Sequence, residues 1–251
     1  MRILVTNDDG IDSPGLHALA ELAVEMGLEV LVAAPTRESS GASASLGAVE
    51  RDGRIVVDQV DINGLEGTTT IAVRAAPAFI VRSAIHGIFG PAPDLILSGI
   101  NRGQNTGHAV LHSGTVGAAL TAATYGRPAL AVSLSGRGDQ WHWETALEHA
   151  RPVLEWLLDT SDAITLNLNV PNREAERVRG RREASLARFG VVQTKVTEVG
   201  QGYVGLEYSE IDPLQEPDSD AGLLAHGWAS LTALRPLSQA TGIDLSDLVA
   251  P

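Results

Sequence analysis

Between Ile3 and Pro35 the chain writes a βαβ unit, and that unit restricts everything that follows. Ile3, Leu4 and Val5 form a short apolar run that ends abruptly in Thr6, Asn7, Asp8, Asp9 and Gly10. A continuous apolar run bounded by turn residues fits a parallel strand buried on both faces. Ser13 to Gly27 reads as a helix. Ser13 suits an N-cap, Pro14 suits the first helical position, Leu16, Leu19, Ala20 and Ala23 share one face, and Gly27 supplies the stop. Val30 to Ala34 is a second buried strand, closed by Pro35. The right-handed crossover rule makes the two strands parallel. Two adjacent acids therefore stand at a strand's carboxyl end, where open α/β sheets bind ligands. The competing reading is an Asx-type turn that leads into the helix.

The same grammar repeats downstream. Ile55 to Val60 and Thr69 to Val73 read as strands, and Ala76 to Ile85 as a helix opened by Pro77. Leu95 to Leu97 is a third strand of the first kind, running into the polar, glycine-rich loop Ser98 to Gly107. His112-Ser113-Gly114-Thr115 opens a helix with Val116, Ala119, Leu120 and Ala123 on one face and Gly126 as its stop. Ala129 to Leu134 is a fourth strand, Trp143 to Leu157 a longer helix with a kink or break expected at Pro152, and Ile164 to Val170 another strand. After Asn172 the composition turns arginine-rich, which reads as a solvated, salt-bridged surface. Val191 to Glu207 suggests a hairpin or extended arm, Ala229 to Ala233 a strand, and Ile243 to Val249 a weak terminal helix. The expected fold is a single enlarged α/β domain over 1–251. Its Rossmann-like parallel core occupies about 1–171, and an extended C-terminal β arm and oligomerisation segment occupies about 172–251.

Composition excludes several function classes. With no cysteine among 251 residues, thiolate catalysis, disulfides and thiolate metal sites are impossible. The net charge of −13 argues against general affinity for nucleic acid or an anionic membrane. No stretch is long and apolar enough to span a bilayer, and acids follow Val5 where a signal peptide would continue apolar. The expected location is cytoplasmic.

Three polar segments leave three parallel strands on one edge. They offer Asp8 and Asp9, Ser39 or Ser40, and Asn101. All are oxygen donors, a set suited to a hard cation such as Mg²⁺ or Mn²⁺. Adjacent carboxylates repel unless positive charge lies between them, so a cation gives their adjacency a physical reason. No histidine cluster has zinc-ligand spacing. Ser113, Gly114 and Thr115 head a helix whose free N–H groups and dipole favour an anion, although Ser113 also suits a simple N-cap. Gly103 and Gly107 let the loop backbone approach a ligand closely. Walker, dinucleotide-fingerprint and serine-hydrolase motifs are absent. A cation beside an anion seat points to metal-assisted hydrolysis of a phosphate ester, with the cation polarising a phosphoryl oxygen or acidifying a water. His108 and His112 are candidate acids or bases, though lone loop histidines are common.

Four stretches, in order and spacing, resemble the SurE family of survival-protein nucleotidases. They are Ile3 to Ile11, Ala34 to Ser43, Ser98 to Asn105 and His112 to Ala119. Asn167-Leu168-Asn169-Val170-Pro171 resembles that family's Asn-x-Asn-Val-Pro strand. The resemblance implies a divalent-metal-dependent phosphatase acting on nucleoside 5′- or 3′-monophosphates, and possible trimming of short polyphosphate. It places one Mg²⁺ or Mn²⁺ per subunit on Asp8, Asp9, Ser40 and Asn101, with Asp8 or Asp9 as the catalytic proton acceptor. Asn105, Ser113, Gly114 and Thr115 then lie around the phosphate. It also implies a C-terminal arm exchanged in a homodimer or homotetramer, for which Val191 to Glu207 is the candidate. The chain departs from the family pattern at Ala75 to Val81, where an acid and a glycine are missing. That departure motivates an alternative: a nucleotide-binding or sensing protein with little turnover.

Overall fold

A computed structural model describes residues 1–52, 54–136, 138–160, 162–188, 192–201, 203–210, 214 and 216–242. In chain order the elements are β1 (Arg2–Thr6), α1 (Pro14–Glu25), β2 (Glu29–Pro35), β3 (Glu50–Arg51), β4 (Arg54–Ile55), β5 (Val57–Gln59), β6 (Thr69–Val73), α2 (Pro77–Ile85) and β7 (Leu95–Arg102). A 3₁₀ segment (Gly107–His112) leads into α3 (Gly114–Thr124), followed by β8 (Ala129–Ser135), α4 (Trp143–Leu158) and β9 (Thr165–Pro171). The remainder comprises β10 (Arg181–Glu183), β11 (Val192–Gly200), β12 (Tyr203–Glu210), α5 (Asp220–Ala225) and β13 (Ala229–Leu234).

The main sheet has nine strands in the order β10-β13-β9-β8-β7-β1-β2-β6-β5. Its six central strands, β9 to β6, are all parallel, the Rossmann-like arrangement expected from the repeated βαβ pattern. From β1 the chain first winds outward through β2 and β6, then returns to β7 on the other side of β1 and winds on through β8 and β9. The winding direction reverses between β1 and β7, which makes their shared carboxyl end the topological switch point. Strand alternation divides the core into two layers. Ile3 and Val5 pack with Leu16 and Leu19 of α1 and Leu154 of α4, whereas Leu4 packs on the opposite face with Ile80 of α2 and Val116 of α3.

The first helix matches its sequence pattern closely: Leu16, Leu19, Ala20 and Ala23 are all buried, and Pro14 opens it behind Ser13. The stretch read as one strand from Ile55 to Val60 is instead two short pieces, β4 and β5. β5 is exposed along its length, so no buried face enforces continuity. α4 runs continuously across Pro152. Its buried Ala150, Val153, Leu154 and Leu157 hold it to the sheet, and Arg181 Nη1 donates to the His149 carbonyl at 2.7 Å, beside the gap a proline leaves in the ladder. Other arginines of that run lie on Trp228, Arg182 at 3.8 Å and Arg179 at 5.1 Å from its ring centre.

The segment after Pro171 divides in two. β11 and β12 form a separate antiparallel hairpin. β13, antiparallel to β9, and β10, parallel to β13, join the main sheet and extend it past β9. The terminal helix read at Ile243 to Val249 lies outside the described residues. Among the described residues no helix is long and apolar enough to cross a membrane.

A close contact between layers is at Gly15, in the first turn of α1. A Cβ there would stand 2.2 Å from the Ile100 carbonyl oxygen of β7 and 2.9 Å from the Trp143 ring. Gly15→Ala is therefore expected to push α1 off β7 and lower stability by about 1–3 kcal/mol, the usual cost of overpacking. Equilibrium urea denaturation measures it.

Candidate active site

β1 delivers Asp8 and Asp9 beyond its last residue, Thr6, and Asn7 fixes the turn that follows. Its side chain donates to the Gly10 carbonyl at 3.0 Å and accepts from Gly10 N at 3.1 Å. Gly10 itself sits at φ 105°, in the left-handed region that favours glycine. The Asx turn weighed from sequence is thus present. Asn7 makes it, which leaves the two acids free of it.

Asp8 is 4% exposed and meets the head of α3. Thr115 Oγ1 donates to Asp8 Oδ1 at 2.5 Å. Gly114 lies so close that a Cβ on it would stand 2.7 Å from Asp8 Oδ2. Burial pushes the Asp8 carboxyl above its ordinary range, opposed by hydrogen bonds from the Thr115 hydroxyl and from the backbone of Thr115 and Gly114. The positive end of α3, read from sequence as an anion seat, thus faces a side-chain anion of the chain itself. Asp9 is half-buried, and its pKa is pushed up to about 6, first by burial and second by the Asp8 charge. A backbone N–H from Arg102 to Asp9 Oδ2, at 3.3 Å, opposes the shift.

The remaining predicted donors surround this pair. Asn101, read from sequence as a loop residue, lies near the end of β7. The strand continues through Arg102 after an irregularity between Ser98 and Asn101. The Asn101 amide Nδ2 donates to the Gly103 carbonyl at 2.7 Å, and its Oδ1 keeps its lone pairs for a further partner. The loop after β2 is tied to the same point, because Ser39 N donates to the Asp8 carbonyl at 2.6 Å. Ser40 is exposed, and its hydroxyl donates to Glu38 Oε1 at 2.6 Å, so its oxygen keeps lone pairs for a further partner. Asp9, Asp12, Arg37, Glu38, Ser40 and Arg102 line a cavity of about 420 Å³.

The second half of the site is a polar network. Asn105 N donates to Asn169 Oδ1 at 2.8 Å, its carbonyl accepts from Asn167 Nδ2 and Asn169 Nδ2, both at 2.9 Å, and its own Nδ2 donates to Ser133 Oγ at 2.9 Å. One hydrogen of that amide remains for a ligand. Two residues on, Gly107 N donates to Asp220 Oδ2 at 2.8 Å, and Ala187 N donates to Asp220 Oδ1 at 3.0 Å. Burial pushes the Asp220 carboxyl up against these bonds. Ser113 caps α3 by accepting from Val116 N at 3.1 Å. His108 and His112 are exposed in the 3₁₀ segment. Sequence reasoning assigns Asn167, Asn169, Ser133 and Asp220 no role in the site. The readable signal is two asparagines at i and i+2 in a strand that is otherwise apolar, hence on one face of it.

The donor set fits a hard divalent cation. Two adjacent carboxylates repel each other here, and the Asp8 charge adds to burial in raising the Asp9 pKa. Among the described residues no arginine or lysine side chain forms an ion pair with either. Neutral oxygens of Asn101 and Ser40 belong to segments that meet at the same strand ends. A cation bound there would hold these four side chains.

The family profile described as "Survival protein SurE" matches residues 3–194. The chain belongs to the SurE family. Among SurE relatives, "5′-nucleotidase SurE 1" of Burkholderia lata is 36% identical over 244 residues, covering 93% of this chain and 90% of that protein. "5′-nucleotidase SurE" of Brevibacillus brevis is 35% identical, covering 92% and 89%. The crystal structure of the SurE protein from Aquifex aeolicus superposes with a TM-score of 0.81 at 26% identity, covering 99% of this chain and 98% of that one.

The raised pKa of Asp9 has a definite sign in stability. Its unfolded value is about 3.9, below that in the fold, so between about pH 4 and 6 the folded state holds more protons and this group destabilises the fold as pH rises. The metal-free protein is expected to lose more stability across that window than Asp9→Asn does. A divalent cation is expected to raise the melting temperature more at pH 7.5 than at pH 5, because protons compete for the same oxygens. Scanning calorimetry across pH, with and without Mn²⁺, measures both.

Proposed function

We infer that this chain is a divalent-metal-dependent phosphatase that hydrolyses nucleoside monophosphates to nucleoside and phosphate. The observation that supports the reading is the Asp8–Asp9 pair at the switch point, bonded to the backbone of Arg102 next to Asn101 and to Thr115 at the head of α3. The two relatives named as 5′-nucleotidases, at 36% and 35% identity, favour turnover over the sensing alternative.

In this reading Asp8, Asp9, Ser40 and Asn101 hold one Mg²⁺ or Mn²⁺, which when bound neutralises phosphoryl charge and polarises a phosphoryl oxygen. Asp8 is oriented by Thr115 and by the head of α3, which keeps its carboxylate directed at one place. Asp9, which lines the cavity whereas Asp8 is turned to the head of α3, is the better placed of the two acids to take a proton from an attacking water. Asn105, its backbone fixed by Asn167 and Asn169, offers its remaining amide hydrogen to a phosphate oxygen. Ser113 and Thr115 act through α3 and Asp8, and Gly114 admits the close approach at the helix head.

A larger cavity of about 720 Å³ adjoins at Arg37 and Ser40 and has room for a nucleoside. Ala75 and Ala76 line it, within the segment that departs from the family pattern, so substrate preference is expected to lie there. The β11–β12 hairpin, which stands apart from the main sheet, is the proposed oligomerisation arm. A cytoplasmic location accords with the absence of cysteine.

The test is phosphate release from a panel of nucleoside 5′- and 3′-monophosphates with Mn²⁺ or Mg²⁺. Outer-shell partners of metal sites typically contribute about 10–100-fold. Removing a direct ligand with Asp9→Asn is therefore expected to lower turnover by at least about a hundredfold. Turnover like that of the unaltered chain would sink the metal assignment.

A further inference from the structure

Arg102 stands beside the acid pair without belonging to the cation-binding set. Its backbone N–H reaches Asp9 Oδ2 at 3.3 Å, and the residue lines the 420 Å³ cavity together with Asp9, Asp12 and Ser40. The guanidinium lies 5.8 Å from the ring centre of Trp143 and 6.0 Å from that of Trp141. Those two indoles are stacked, 5.7 Å between centres and 18° between planes. Trp143 is braced in turn against Gly15 at the start of α1. Among the described residues no carboxylate lies within ion-pair distance of this guanidinium, although its charge helps to hold the Asp9 pKa down. It lies beside aromatic faces, which support a cation without occupying its N–H donors.

A charged group prepared in this way next to a dicarboxylate requires a physical reason. The pair alone would attract any cation, and an arginine beside it weakens that attraction. The placement makes sense when a dianion joins the cation in the cavity, because a planar guanidinium binds phosphate oxygens with paired N–H donors. Arg37 lines the same cavity and is exposed like Arg102, but has no aromatic support among the described residues.

We propose that Arg102 is a substrate-binding residue that grips the phosphate group of a monophosphate ester, and that Trp141 and Trp143 are the positioning residues that aim it. The proposal rests on the phosphatase reading above, and direct anion binding separates the two. The experiment measures the dissociation constant of inorganic phosphate by titration calorimetry with saturating Mn²⁺. It also measures KM and kcat for AMP, and Mn²⁺ affinity without phosphate. Arg102→Gln is expected to raise the phosphate dissociation constant and the AMP KM together by about tenfold or more, in line with loss of one charge-assisted hydrogen bond. Mn²⁺ affinity is expected to be unchanged or slightly tighter. Arg102→Lys should recover part of the loss, since charge returns without the planar fork. Trp141→Leu, which keeps the charge and loosens its aim, should shift both constants in the same direction by a smaller factor.

Phosphate binding by Arg102→Gln equal to that of the unaltered chain would overturn the proposal. So would a loss of phosphate binding matched by equal losses of Mn²⁺ affinity and melting temperature, the mark of a structural role. If the unaltered chain binds phosphate through Arg102 yet hydrolyses no monophosphate, the function reading fails and this inference stands.

Discussion

The contact between Asp8 and the head of α3 is the interaction on which the site depends. A carboxylate that is 4% exposed is costly unless it is paired or hydrogen-bonded. Here the Thr115 hydroxyl and the first N–H groups of α3 meet it, and glycine at position 114 leaves the space. The partial positive charge of a helix terminus offsets part of the burial of Asp8, and both acids stay above their ordinary pKa. The result is an asymmetric pair, one acid fastened to the fold and one beside a cavity, both with raised pKa values. A cation would complete the charge balance that the protein alone leaves unfinished.

Around that contact the fold supplies rigidity by distributing hydrogen bonds across distant parts of the chain. Asn105 is held by three strand-borne side chains, Asn167 and Asn169 from β9 and Ser133 from β8. Two residues further, Asp220 clamps Gly107 and Ala187 together, so the C-terminal part of the chain borders the same loop. Each of these groups is buried or half-buried, and each leaves a costly unsatisfied partner if removed. The loop that carries Asn105 is thus as firmly placed as a strand.

Much of this is legible in the amino-acid sequence alone. The apolar run Ile3 to Val5, the helix face of Leu16, Leu19, Ala20 and Ala23, and the run Leu95 to Leu97 state their own period and burial, and the parallel sheet follows from them. Asp8, Asp9 and Asn101 are readable because three polar segments leave strands that topology places on one edge. What is not legible depends on partners remote in sequence. Nothing local tells that Thr115 bonds to Asp8, that Arg181 reaches the His149 carbonyl, or that β10 and β13 extend the sheet past β9. Ile55 to Val60 carries a strand pattern, yet β5 there has no buried face to enforce it. The Asx turn is written in the sequence, but Asn7 makes it, so a turn and a site were never exclusive choices.

The Asp8–Thr115 bond joins residues 107 apart in the chain, and Gly107 and Asp220 are 113 apart. Loops of that length close slowly and only after nearer contacts have formed. During synthesis the opening acids emerge well before the helix that will receive them. They can stay hydrated until β7 and α3 dock against β1. The site is therefore incomplete until β7 and α3 have been made. A chain that has formed its first βαβ unit already carries the acids but not yet the surroundings that make them a pair of unequal partners.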